Sequence, residues 1–128
     1  MHSVAELRAG LRTLATERVD AIFMVSDGMV NSQSLAIADA ARAHRLATIF
    51  SDRQSVAEGG LASYGASYHG AGRLAAGYVH RVLLGGNPAE LPVINIDHLE
   101  LVINARTARE IGLTIPPALL YRADEVLQ

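Results

Sequence analysis

Hydrophobic positions along this chain change period several times, and each change marks an element. Val4, Leu7, Leu11 and Leu14 recur at three- and four-residue steps, which lines one face of a helix running to about Glu17. Ser3 and Glu6 bracket its start as a capping box, in which a Ser side chain and a Glu three residues on satisfy amides that a first helical turn leaves without partners. Ala21-Ile22-Phe23-Met24-Val25 is a continuous apolar run, too short for a helix and bounded by polar residues, as in a strand covered on both faces. A second helix is expected from Asn31 to Arg45, with Leu35, Ile37, Ala38 and Ala41 on its apolar side. Ala47-Thr48-Ile49-Phe50 follows as a second strand.

Ser55-Val56-Ala57-Glu58 reads as another capping box, opening a short helix that Gly59-Gly60 closes. Leu61 to Tyr64 is the third expected strand. Leu74, Tyr78 and Val82 mark one face of a helix from Gly70 to Leu84, ended by Gly85-Gly86 before Pro88. Pro92 to Asp97 and Leu99 to Ile103 are extended by composition, the latter alternating around Glu100. A helix from Ala105 to Ile111 stops at Gly112, and Pro116-Pro117 begins a final helix expected to run through Leu120 to Val126. Short apolar strands alternating with helices predict an α/β fold with a doubly wound, mostly parallel sheet, because strand-helix-strand crossovers are right-handed and return parallel.

At 128 residues the chain is the size of one domain. Its apolar and charged fractions, 50% and 19%, are those of a folded protein and not of a disordered one. All eleven cationic side chains are arginine, scattered from Arg8 to Arg122, and the net charge is -2, so no basic face is concentrated enough to expect nucleic acid as a partner. The absence of cysteine removes disulfides, thiolate metal sites and a Cys nucleophile. Met1 to Leu11 carries Glu6, Arg8 and Gly10 and lacks the basic start and apolar core of a secretory signal; either the protein is cytosolic or its beginning is missing. No apolar run approaches the ~20 residues of a membrane span.

Ligands of open parallel sheets bind at the carboxyl ends of the strands, which here selects three polar loops: Ser26-Asp27-Gly28, Ser51-Asp52-Arg53 and Ser63-Tyr64-Gly65. The candidate ligand-binding residues are Ser26, Asp27, Asp52, Arg53, Ser63 and Tyr64. Asp27 and Asp52 could accept hydrogen bonds from an ammonium or hydroxyl, Arg53 could grip a carboxylate with two bonds, and Tyr64 could stack on an apolar ligand portion. The competing reading is that Ser and Asp at strand ends only cap the next helix. Tyr64, Tyr68 and His69 cluster in sequence, either lining a cleft or packing at a helix start.

A Ser26, His44 and Asp52 triad lacks the G-x-S-x-G elbow, and His44 sits late in a helix. The five histidines show no metal-ligand spacing, and no phosphate-binding glycine motif occurs. A binding protein is expected, with no enzymatic activity, no cofactor and no metal.

Asp52-Arg53 with Glu58-Gly59-Gly60-Leu61-Ala62-Ser63-Tyr64-Gly65, then Leu99-Glu100-Leu101-Val102-Ile103-Asn104, Thr107-Ala108, Gly112-Leu113-Thr114-Ile115-Pro116-Pro117, Leu120 and Arg122-Ala123-Asp124-Glu125-Val126, resemble ABC-transporter substrate-binding proteins of the tryptophan-binding TrpX type. That resemblance implies an extracytoplasmic protein with two lobes of the type I periplasmic-binding-protein fold, closing on an amino acid or similar small solute and delivering it to a membrane permease. The chain resembles the C-terminal lobe, with residues 66–92 crossing to a first lobe that is absent. By the same analogy Ser26-Asp27, Asp52-Arg53 and Ser63-Tyr64 face the cleft, although this first loop lacks the family's prolines around its acidic residue. An apolar surface around Leu74, Tyr78 and Val82 would lose its cover, so a homodimer through that helix is expected. The second reading is a cytosolic ligand-sensing or regulatory domain with the same fold, favoured by the missing secretory signal.

Overall fold

The computed structural model describes residues 3–17 and 19–128, with the backbone alone described at Val4 and Ala15. Met1, His2, Arg18 and the side chain of Val4, all used in the sequence reading, lie outside that description. In chain order the elements are α1 Val4–Thr16, β1 Ala21–Phe23, α2 Gly28–Asn31, α3 Ser34–Ala43, β2 Ala47–Phe50, α4 Arg53–Ala57, β3 Ala62–Ala66, α5 Tyr68–Leu83, a 3-10 turn Pro88–Glu90, β4 Leu99–Asn104, α6 Ala105–Ile111, α7 Pro117–Arg122 and β5 Glu125–Leu127.

The five strands form one sheet in the order β1-β2-β3-β4-β5. All neighbours are parallel except β3 and β4, so the amino end of β4 lies at the same edge as the carboxyl ends of β1, β2 and β3. Successive strand residues point to opposite faces. Ile22, Thr48, Phe50, Ser63 and Val102 share one face by register, and all are buried. On that side Phe50 packs with Leu7 of α1 and Ile37 of α3, and burial of such side chains stabilises by about 1.5–3 kcal/mol each. Ala47 and Ala62 point the other way and pack with Ala108 and Ile111 of α6 and with Ile115. Helices therefore meet both faces of a mostly parallel sheet, the class the periodicity predicts.

Asn104 ties these layers together. Its Oδ1 accepts from Thr107 N–H at 2.9 Å, capping α6, while its Nδ2 donates to the Val56 carbonyl of α4 at 3.1 Å. Thr107 Oγ1 donates to the Gly59 carbonyl at 3.1 Å.

The structure departs from the sequence reading in three places. The helix expected over Asn31–Arg45 begins instead at Ser34, after the separate turn of α2 that ends at Asn31, because the Ser32 hydroxyl donates back to the Met29 carbonyl and draws the backbone between them into a turn. Ser55 does not cap the next helix. Asp52 does, its two carboxylate oxygens accepting from Ser55 N–H and Ser55 Oγ–H, each at 2.9 Å. Glu58 turns instead to Ser34 and Gln54. The final helix ends at Arg122, and Glu125–Leu127 is a strand paired with Val102–Asn104, a pairing that local preference cannot reveal.

Between β3 and β4 the chain leaves the sheet. α5 buries no residue, and residues 84–98 return alongside it as an exposed strap, joined by the Tyr78 hydroxyl donating to the Pro92 carbonyl.

Candidate functional site

An open cavity of about 220 Å³ sits at the carboxyl edge of the sheet, lined by residues including Asp52, Arg53, Ser63, Tyr68, His69 and Glu100. Three facts of the chain shape it. The turn into α4 places Asp52 and Arg53 at its rim. Ser63, 2% exposed, forms its floor beside Val102. Gly65 lies next to Ser51, where a Cβ would come within 2.0 Å of the Ser51 carbonyl oxygen. Only glycine fits there, and its missing side chain leaves room opposite its cross-strand partner Glu100.

The candidate residues separate accordingly. Asp52, Arg53 and Ser63 come together in this cavity. Tyr64 does not, because it follows Ser63 and points to the other face, 57% exposed beside Leu101. Ser26 and Asp27 lie at the same sheet edge but outside the cavity, beyond β2. There Asp27 Oδ1 accepts from Met29 N–H at 2.9 Å as the cap of α2, and Asn31 Nδ2 donates to Ser26 Oγ at 3.4 Å. Of the Tyr64, Tyr68 and His69 cluster, Tyr68 and His69 line the cavity. The Ser26, His44 and Asp52 set is not assembled, since His44 caps the far end of α3, which leads into β2 from the opposite edge.

The charges are largely matched within the chain. Arg53 grips Glu125 of β5 with two bonds, Nε to Oε2 and Nη2 to Oε1, both 2.6 Å. The hydrogen bond from Arg53 holds the Glu125 carboxyl below its usual range, and the same bond raises the guanidinium further. Glu100 was visible in the sequence only as the single charge in an alternating strand. It stands in the cavity wall, and also lines an adjoining cavity with Ser67, Arg73, Asp97 and His98. His98 Nε2 lies 3.2 Å from Asp124 Oδ1, where the strap rejoins the sheet. Among the described residues no group of three or more His, Asp or Glu side chains could hold a metal ion, and no helix is long and apolar enough to cross a membrane.

Comparison with known proteins agrees with this architecture. A crystal structure of a conserved domain protein from Vibrio cholerae is 31% identical, with a TM-score of 0.83 over 95% of this chain and 41% of that one. A Streptococcus pneumonia domain in complex with L-Trp is 28% identical, with a TM-score of 0.85 over 99% of this chain and 44% of that one. A tyrosine-binding protein of Clostridioides difficile is 26% identical over 96 residues, which are 75% of this chain and 28% of that protein. The chain thus spans less than half the length of each of these relatives. Residues 1–127 match the family model described as ABC transporter substrate binding protein, and the chain belongs to that family.

Proposed function

We propose that this chain forms one wall of the ligand site of a solute-binding component of an ABC-type importer. The solute is an amino acid, in the first instance an aromatic one, held between two lobes. The observation that carries this reading is the edge cavity. At about 220 Å³ it is open and smaller than the roughly 300–1,000 Å³ of an enclosing ligand site, as expected of half a clamp. Relatives that bind tyrosine and L-Trp favour an aromatic side chain, for which Tyr68 in the wall offers a ring to stack on.

Residues 66–92 are the proposed crossing to the first lobe. In support, α5 has no buried residue, and Leu74, Val79, Val82, Leu83 and Val93 are all exposed, more apolar surface than an isolated excursion keeps in water. Either a first lobe or a second copy through the helix around Tyr78 would cover it. The protein works outside the cytoplasm, delivers its ligand to a permease and carries out no chemical step.

Calorimetry on the full-length protein is the test. L-tyrosine or L-tryptophan binding tightly to it, and at least a hundredfold more weakly to residues 1–128, is the expected result, because closure needs both walls. Equal affinity of both forms would refute the two-wall reading, and no binding to the full-length protein would refute the aromatic ligand.

A further inference from the structure

The charge pattern around the edge cavity says which end of the ligand this wall takes, an inference that rests on the reading just given. Arg53 is the obvious partner for a ligand carboxylate. Its Nε and Nη2 are already committed to Glu125, whose backbone is fixed in β5 opposite Val102. Asp52 has both oxygens bonded to Ser55. Glu100 differs from both. Its side chain makes no hydrogen bond and no close ion pair with a described residue and feels Arg53 only as a nearby charge, it is half-buried, and its strand partner is the side-chain-free Gly65. Asp52, Glu100 and Glu125 set three carboxylates against the single guanidinium of Arg53.

We infer that this wall recognises the ammonium group of its ligand, with Glu100 as the accepting carboxylate, and that Glu125 holds Arg53 away from the ligand's carboxylate. A carboxylate arriving here would meet net negative charge. An ammonium would meet in Glu100 a carboxylate that no described donor bonds, and closure of a second wall would strengthen that contact by excluding water. His69 of α5 also lines the edge cavity, and Arg73, Asp97 and His98 line the adjoining one with Glu100.

The experiment is calorimetry on the full-length protein with six probes. L-tyrosine and L-tryptophan are compared with tyramine and tryptamine, which lack the carboxylate, and with 3-(4-hydroxyphenyl)propanoate and indole-3-propanoate, which lack the ammonium. Glu100→Gln is expected to weaken the amino acids and the amines about tenfold or more, the worth of a charge-assisted hydrogen bond, and to leave the two acids no weaker. Glu125→Gln, which frees Arg53, is expected to tighten the acids about two- to fivefold. Because the Glu100 side chain bonds to no described residue, its variant should melt close to the wild-type temperature, which separates lost recognition from lost fold. Amino-acid affinity unchanged in Glu100→Gln would overturn this inference alone. A wild-type protein that binds none of the six probes would overturn the proposed function together with it.

Discussion

Removing the Asn104 side chain should cost a large share of the domain's stability, because it serves two layers at once. Asn104→Ala takes away the cap of α6, worth about 1 kcal/mol, because the Thr107 N–H loses the oxygen it meets at 2.9 Å. It also strips the donor from the Val56 carbonyl, bonded at 3.1 Å in a region water does not reach, which adds about 1–3 kcal/mol. The sum, about 2–4 kcal/mol, is a large part of the roughly 5–15 kcal/mol that holds a domain together. Urea unfolding followed by far-ultraviolet circular dichroism should show the unfolding free energy falling by that amount, through a lower midpoint at an unchanged slope. Asn104→Asp is a sharper probe. It keeps the capping oxygen but sets a second acceptor against the Val56 carbonyl, so at neutral pH it should destabilise at least as much as alanine. A loss below about 1 kcal/mol in Asn104→Ala, or a harmless Asn104→Asp, would show that this side chain does not hold β4, α4 and α6 in register.

Gly65→Ala forces a Cβ to within 2.0 Å of the Ser51 carbonyl oxygen, so β2 and β3 must separate at the cavity rim. A loss of about 1–3 kcal/mol is expected by denaturation, whereas Gly28→Ala, with nothing within 4 Å, should be nearly neutral. Equal effects of the two substitutions would refute the close approach. In the pH dependence, the hydrogen bond from Ser34, then that from Gln54, lowers the Glu58 carboxyl below 4.5. A carboxyl whose folded value is depressed contributes stability above its unfolded value and loses it as pH falls through the folded one. The chain should therefore lose stability below about pH 4.5, where Glu110, held down by Arg106, and Glu125, held down by Arg53, also protonate. Glu58→Gln should flatten that acid limb in melting curves, and an unaltered limb would count against the Ser34 bond.

Most of the fold was legible where one stretch of chain decides its own state. The apolar runs at Ala47–Phe50 and Leu99–Ile103 become strands, and Gly112 ends α6 in the left-handed conformation at φ 77°. Legibility failed where distant residues decide. Glu125–Leu127 is too short to prefer a strand without Val102–Asn104 beside it. The cap of α4 was misassigned because Ser55 and Glu58 fit a local motif while their partners are Asp52, Gln54 and Ser34. Arg53 meets a residue 72 positions away, which no spacing rule anticipates.

The same contrast explains why the strand-end rule reaches only part of the candidate cavity. A strand that runs up to the edge with the cavity is followed by a helix, and the acidic residue at the junction is drawn to that helix's free amides, as Asp27 and Asp52 both are. Asp52 lines the cavity with both oxygens spent on Ser55, and Asp27, outside it, spends one on Met29. β4 arrives at that edge from the opposite direction, by its first residues, and no helix starts there. Glu100 is consequently placed among the strand ends without an amide to cap. The reversal of β4 supplies the edge cavity with what the preceding strand ends do not, an acidic side chain that no helix amide claims.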